Sequence, residues 1–446
     1  MISAECGAVA YTAIPRDTVR ILFPARKRIE DEMGIGNDHD QTNVRALREA
    51  LARRSHTDAA DWFPVFKARY GLSEVMRLLA DRATTTGDDT VITQLFTCCT
   101  AVVPIVDAGM HVRYADINAD TLSIDVHALH DRLKDGHVAA VMLQHTFGMI
   151  SPDADLQIAN HTKQAGALLI EDSAHCVTRM ARSDNGLPLA DISLHSFGVE
   201  KMLPTRFGGA VWINPKLAEH DDEFNRTLRS ALSALPALPS ALDRVTRMYI
   251  NQNRVFSRLG SLGNALRSSC TRHGWYEPPI ADSERAGSLD YPSYAPAAWM
   301  NERATRAIER LDANESGRQK IIDLYKEQLS NLDGIDIPHA ALAGATQPLL
   351  RFPLLARDTA QSERLIAVVR SAGGYAERWY RPELFPGVTD EKAYGLSDLD
   401  RSQVPIHEDV VRRCLCLPTE LGIETAQHVC NAIIQTVSHT AGAVNA

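Results

Sequence analysis

The chain has 446 residues, 45% of them hydrophobic and 23% charged, with a formal net charge of −9. Domains usually run ~100–200 residues, so two or three are expected. The acidic balance argues against a nucleic-acid surface, which needs clustered Lys and Arg, and the run Arg26-Lys27-Arg28, followed by Glu30, Asp31 and Glu32, reads as a solvated face.

No stretch approaches the ~20 apolar residues of a membrane span, and the opening MISAECGAVAYTAIPRD lacks the basic and apolar regions of a signal peptide. A cytoplasmic location is expected. Eight cysteines form no C-x-x-C pair. Cys414-x-Cys416 is a weak metal signal, and reduced core cysteines are the simpler reading, so no metal site is expected.

In chain order, residues 1–45 read as irregular and charged, and 45–54 as a short helix. Strand–helix alternation follows from Val65 to about Pro215. A helix opens at Gly71 and runs to Arg82, and strands fall at Thr90–Thr93, Val112–Asp116 and Ala139–Leu143. A helix is expected over Ile158–Ala165, then strands at Ala167–Ile170, Ile192–Ser196 and Ala210–Ile213. Apolar strands alternating with helices mean a mainly parallel sheet covered on both faces. Residues 216–290, rich in Leu, Ala, Ser and Arg, read as helices connecting two domains. A helical pair at 298–332 is followed by strand, helix, strand, helix at Leu349–Leu355, Arg364–Ala372, Cys414–Leu417 and Thr425–Thr436. The expected division is an N-terminal segment (1–45), a large α/β domain with a helical linker (46–290) and a small α+β C-terminal domain (291–446).

Three features share one stretch. An apolar strand ends in Glu171-Asp172, and open parallel sheets bind ligands at the carboxyl ends of their strands; a helix-capping aspartate is the alternative. Ser196 ends another strand five residues before Lys201. A hydroxyl can hold an anionic phosphate, and a Schiff-base lysine needs positioning and a lowered pKa. Gly208-Gly209 then allows close backbone approach before the next strand. Pyridoxal 5'-phosphate (PLP) needs an acid for its pyridine nitrogen, a lysine for its aldehyde and donors for its phosphate. Asp172, Ser196 and Lys201 supply that set together.

Here the sequence resembles the DegT/DnrJ/StrS family of fold-type-I PLP aminotransferases, from about Gly71 to the C-terminus. The matching residues are Gly87-Asp88-Asp89-Thr90-Val91-Ile92, Gly109 to Asp116 with Asp120-Thr121, His145-Thr146-Phe147-Gly148, and Glu171-Asp172-Ser173-Ala174. Ser196-Phe197 with Lys201, Gly208-Gly209-Ala210, Pro405-Ile406-His407-Glu408 and Leu415 to Thr419 complete them. The resemblance implies an internal aldimine on Lys201, which also shuttles the proton, and Asp172 against the pyridine nitrogen. Ser196 would hold the phosphate, helped by backbone amides at Gly71-Leu72-Ser73. It implies a homodimer with sites at the subunit interface, a small-molecule amino donor such as glutamate, and a keto acceptor such as a nucleotide-linked sugar. Other PLP chemistry (elimination or dehydration) and a non-catalytic PLP-binding role are the alternatives.

The sequence departs from the family pattern in several places. His175 stands where the family has Gln, and a ring nitrogen there could contact the cofactor's 3'-oxygen. Cys98 takes the place of an aromatic ring that stacks on the cofactor, and Ala297 that of an asparagine reaching the partner's site. His195 alternates away from Ser196 and reads as a packed histidine. Arg206 is read equally as an anion binder or an ion-pair partner. Trp299 and Trp379 read as core or interface aromatics.

Overall fold

This computed structural model describes residues 36–444. The basic run at Arg26, Cys6 and most of the expected irregular N-terminal segment lie outside the described residues. Residues 39–237 and 280–444 form one compact unit, and residues 238–279 belong to a second. The second holds two helices, Ser240–Arg258 and Gly260–Arg272, with Tyr249 stacked on Tyr276 at 5.5 Å.

The larger unit is built on a seven-stranded sheet. Its strands are β1 (Trp62–Val65), β2 (Thr90–Gln94), β3 (His111–Ala115), β4 (Val138–Gln144), β5 (Leu168–Asp172), β6 (Ile192–Ser196) and β7 (Gly209–Ile213), in the spatial order β1-β7-β6-β5-β4-β2-β3. Strands β2 to β6 pair in parallel, and β7 runs antiparallel to both β6 and β1. Alternate residues of β4 feed two cores. Ala140 and Met142 face one with Ile170 and Leu194, while Val141 and Leu143 face the other with Leu169 and Ile158. A strand buried on both faces has no reason to alternate polar and apolar residues, hence the continuous runs in the sequence.

Several elements differ from the sequence reading, among them the first two helices and those at Pro152–Gln164 and Thr359–Ser371, which start earlier than expected. The first helix, α1, spans Gly36–Ser55, starting nine residues before the expected one. The sequence of its first half is polar and carries no apolar stripe; among the described side chains its second half contributes the core residues Leu47, Ala50, Leu51 and Ala52. The next helix, α2, spans Ala68–Thr86 and opens three residues ahead of Gly71. Gly71 is small for packing, not for breaking the helix: a Cβ there would sit 2.6 Å from Val211 Cγ2. The helix ends where Gly87 turns left-handed (φ 78°) and donates to Ala83 O at 2.9 Å.

A second, antiparallel sheet has the order β10-β9-β8, formed by β8 (Ile335–Asp336), β9 (Arg351–Ala356) and β10 (Cys414–Pro418). Helices Ala298–Glu309, Leu311–Leu329, Thr359–Ser371, Pro405–Arg413 and Ile423–Val444 accompany it. Cys414 and Cys416 are buried here and donate to the carbonyls of Trp379 and Glu377. Burial pushes Cys416 up to about 12 and Cys414 well above its ordinary value, and both are packed as thiols.

The glycine pair before β7 sets the contact between α2 and the sheet. Gly208 has φ 111°, and a Cβ on Gly209 would lie 2.7 Å from Ala68 N and 2.9 Å from His195 O. Backbone cannot yield as a side chain can. Gly209→Ala is therefore expected to cost about 1–3 kcal/mol and to lower the thermal midpoint by several degrees, read by circular dichroism. An unchanged midpoint would show that α2 does not rest on this strand.

Candidate active site

The parallel ladder brings the sequence-picked residues to one edge of the sheet. Asp172, the last residue of β5, pairs with Gln144, the last residue of β4, and with Leu194 of β6, which runs two residues further to Ser196. Beyond them the chain turns, with Ser173 N donating to Leu194 O at 2.9 Å and His145 N to Asp172 O at 3.1 Å. The Asp172 Oδ1 atom accepts the Ala174 amide at 3.0 Å. Its other oxygen has no hydrogen-bond partner among the described residues.

Glu171 points to the opposite face, as strand alternation requires. It accepts from Ser193 Oγ at 2.7 Å and the Ala181 amide at 2.6 Å, and meets His145 Nε2 at 2.6 Å. Burial opposes its charge, but His145 and these donors hold the carboxyl below its ordinary value. Burial also opposes charge on His145, and Glu171 overcomes it, raising the imidazole. A buried ion pair thus braces the strand behind Asp172.

His195 belongs to the same network. Its Nδ1 accepts the Thr178 amide at 3.2 Å, its Nε2 meets Ser193 Oγ at 3.1 Å, and its ring lies 4.8 Å from Trp62. Burial lowers it to about 4. It faces away from Ser196 and is packed, as the alternation predicts.

Lys201 sits on the loop from β6 to β7, whose backbone is held in left-handed conformations at Glu200 (φ 61°) and Arg206 (φ 76°). Its ammonium makes no hydrogen bond to the described residues and lies 5.8 Å from the centre of the Trp379 ring. Burial pushes Lys201 down, opposed in part by Cys98, Asp172 and Glu200. Burial likewise pushes Asp172 up, against the pull of Lys201. The two groups feel each other's charge and stand where desolvation disfavours both charged forms. Perturbed groups of this kind mark functional sites.

Cys98 precedes helix α3 (Cys99–Asp107) at its N-cap, and its sulfur accepts from Thr100 Oγ1 at 3.0 Å. Hydrogen bonding from Cys99, opposed by burial and helped by Thr100 and the Lys201 charge, lowers the Cys98 thiol to about 6. His175 is buried, with its Nδ1 accepting the Phe147 amide at 3.0 Å and its Nε2 3.1 Å from Tyr380 Oη. An Nδ1 that accepts carries no proton, so the neutral ring donates through Nε2 to Tyr380. Neither ring nitrogen is free, and the Tyr380 hydroxyl proton is left to point elsewhere. Ser196 Oγ accepts the Gly198 amide at 3.3 Å, leaving its own proton available.

The expected amide cradle at Gly71-Leu72-Ser73 is corrected by the start of α2. The Gly71 amide already bonds Lys67 O, and the Leu72 and Ser73 amides lie deeper inside the helix. The amides ahead of the helical ladder are those of Ala68 and Arg69, in the first turn. Ser196 pairs with Gly209, which touches Ala68, so hydroxyl and helix start are neighbours. Leu72 is a core residue, and only the Ser73 side chain retains polar capacity at those positions.

Sequence reasoning missed three contributors from distant parts of the chain. Trp379 stacks on His175 at 5.6 Å and 12°, Tyr380 stacks on Phe147 at 5.9 Å and 4°, and the Arg351 guanidinium lies 5.5 Å from the Trp379 ring. No spacing in the sequence links them to Lys201.

The low Cys98 thiol has a direct test. Alkylation of Cys98 by iodoacetamide, followed by mass spectrometry of its peptide, should keep a nearly constant rate from pH 9 to pH 7. The rate should then fall below about pH 6. A tenfold or greater loss between pH 9 and pH 7 would mark an ordinary thiol.

Comparison with known proteins supplies the family. Among solved structures, the chain is similar to the aminotransferase TlmJ from Streptoalloteichus hindustanus (TM-score 0.61, 18% identity, covering 93% of this chain and 98% of that one). It is also similar to the sugar aminotransferase CalS13 from Micromonospora echinospora (0.60, 17%, 90% and 97%). A third is Helicobacter pylori PseC, an aminotransferase involved in the biosynthesis of pseudoaminic acid (0.64, 14%, 90% and 96%). At these identities the likeness establishes the fold, a large mainly parallel sheet flanked by helices, as in fold-type-I aminotransferases. No curated protein matches the sequence. The sequence profile of one family matches residues 75–230 and 304–434, well over half of the chain, and by that match the protein belongs to the DegT/DnrJ/EryC1/StrS aminotransferase family.

Proposed function

We propose that this aminotransferase carries PLP on Lys201, with Asp172 as the acid facing the pyridine nitrogen. The observation that carries the reading is the Lys201–Asp172 pair. Asp172 ends β5 and Lys201 stands on the loop that leaves β6, in each other's field, with hydrogen-bonding capacity that the described residues do not fill. The donor set fits the group. A cationic ring nitrogen would return the raised Asp172 to its ionised form. A lysine lowered by burial is the more nucleophilic one. The Ser196 hydroxyl beside the first turn of α2 suits a phosphate.

PLP, when bound, supplies the electron sink through which an amino group leaves a donor and reaches a keto acceptor. The protein's part is positioning and proton handling. Asp172 keeps the ring nitrogen protonated. Lys201 Nζ makes the covalent attachment, and as a free amine it moves a proton at the reacting carbon. Ser196 and the first-turn amides fix the phosphate. His175, neutral and locked by Phe147 and Tyr380, offers a ring face rather than a nitrogen, and Tyr380 holds the hydroxyl proton that can be donated in its place.

The acceptor we infer is a keto group on a nucleotide-linked sugar, supported by a structural neighbour described as a sugar aminotransferase. The amino donor would be glutamate or a similar amino acid. We further infer a cytoplasmic homodimer with sites at the subunit interface, and a division near residue 290 into cofactor-binding and smaller C-terminal parts. These rest on the family membership. No helix among the described residues is long and apolar enough to cross a membrane.

Borohydride reduction of the purified protein should leave a stable adduct on the Lys201 peptide, absent in Lys201→Ala. An adduct that persists on another lysine would sink the assignment. Asp172→Asn should retain the adduct while losing turnover on the order of 10²-fold or more. Unchanged turnover would remove Asp172 from the mechanism.

A further inference from the structure

Tyr375 and Trp275 are the two aromatic side chains left exposed among the described residues, Tyr375 at 53%. Trp275 belongs to the separate helical unit and stacks on His273 at 5.1 Å. Single exposed apolar side chains are ordinary, but the Tyr375 ring is held in place. The Arg370 guanidinium carbon lies 5.6 Å from the ring centre, and that guanidinium is itself fixed by donating to Ala376 O at 3.2 and 3.0 Å. Glu377 stands 4.0 Å from Arg370. Hydrogen bonding to Glu377, then burial and the charges of Glu377 and Glu200, push the Tyr375 hydroxyl up to about 12. The ring therefore has a cation over one face and an acid at its hydroxyl, while about half of the residue stays open to solvent.

The same segment leads to the candidate active site. Glu377 bridges to Cys416 of β10 through both backbone bonds, Glu377 N to Cys416 O at 3.1 Å and Cys416 N to Glu377 O at 3.0 Å. The chain is extended at such a bridge, and alternate side chains share a face. Ala376 turns into the core, so Tyr375 and Glu377 turn the other way. Two residues beyond Glu377, the Trp379 ring lies 5.8 Å from the Lys201 ammonium. At about 3.3 Å per residue, Tyr375 and Trp379 stand up to ~13 Å apart along the chain. Glu200, the neighbour of Lys201, acts on both Lys201 and Tyr375. The exposed ring thus stands on the approach to the lysine, outward of the indole beside it.

We propose that Tyr375 stacks on the base of the nucleotide-linked acceptor. The inference rests on the reading of Lys201 as the reacting lysine and of the acceptor as a nucleotide-linked sugar, and adds the residue that grips the far end of that substrate. The phosphates of such a substrate separate its sugar carbonyl from its base. A carbonyl at Lys201 therefore puts the base away from the lysine, toward the rim of the site. Every base offers a planar π-face, which an aromatic ring takes by stacking whatever the base. A ring already held by Arg370 and Glu377 loses little freedom when it binds.

The test uses purified holoenzyme and isothermal titration calorimetry. The probes are the 5'-diphosphates of uridine, thymidine, guanosine and adenosine, with pyrophosphate as the probe that lacks a base. Tyr375→Ala should weaken the nucleoside diphosphate that wild type binds best by roughly five- to hundredfold, the loss of one base–aromatic stack, and leave pyrophosphate within about twofold. Tyr375→Phe keeps the ring and should stay within about twofold of wild type for every probe. Equal nucleotide affinity in Tyr375→Ala and wild type would overturn the inference, and so would a Tyr375→Phe as weak as Tyr375→Ala, which would assign the contact to the hydroxyl. A loss of pyrophosphate binding as large as that of the nucleotide would also overturn it. Wild type that binds none of the four nucleotides defeats the acceptor reading and the inference with it, whereas a wild type that binds one of them and is matched by Tyr375→Ala defeats the inference alone. The borohydride adduct on Lys201, scored in the same preparations, tests the lysine reading separately.

Discussion

The register of β5 between β4 and β6 is the constraint on which the site depends. Because Asp172 pairs with both Gln144 and Leu194, β4 and β5 end together and β6 ends two residues beyond, so the loops that follow leave the same edge of the sheet. A one-residue slip would exchange Glu171 and Asp172 between faces. The cost of that slip is visible in what Glu171 does: it is buried, paired with His145 and bonded to Ser193, its cross-strand partner in the ladder. The buried ion pair is thus most easily understood as a device of specificity, locking the strand so that the acid one residue later is presented to the site.

Desolvation then shapes the chemistry. Lys201 and Asp172 are each driven toward neutrality by burial and held back only partly by one another. In isolation that would be an inefficient way to stabilise a fold. It becomes sensible if the pair is completed by a group that is cationic toward Asp172 and electrophilic toward Lys201. The neutral His175 fits the same picture: burial lowers it first, and the charges of Lys201 and Arg351 lower it further.

The core of this arrangement was legible in the sequence because it is local. Asp172, Ser196 and Lys201 end or follow strands whose apolar runs are unmistakable, and a stretch of 30 residues contains all three. The strands themselves were read to within two residues, Ile192–Ser196 without error. Helix starts were less legible. Gly71 looks like a helix boundary, yet its lack of a side chain serves the contact with Val211, and α2 begins at Ala68. The reading of the sheet began at Val65 and so passed over most of β1, whose Pro64 is tolerated because the strand lies at the sheet edge. Trp379, Tyr380 and Arg351 were illegible for a different reason: their part in the site depends on tertiary packing, which leaves no periodic trace.

That long-range contribution bears on the departure at Cys98. Where the family pattern has an aromatic ring, this chain has a thiol held by Thr100 and tuned by Lys201. The missing ring surface has a counterpart nearby. Phe147, His175, Trp379 and Tyr380 lie in nearly parallel planes, contacting pairs within 4° to 12° of one another, and the Lys201 ammonium lies 5.8 Å from the Trp379 ring. Aromatic packing near the lysine is therefore supplied from the C-terminal half of the chain rather than from the loop after β2. The same segment fixes that loop, since Cys99 N donates to Phe385 O at 3.0 Å and Phe385 N to Thr97 O at 2.8 Å. The loop that carries Cys98 is thus tied by backbone hydrogen bonds to the chain segment that carries Trp379, and a change at Phe385 would be felt first at Cys98.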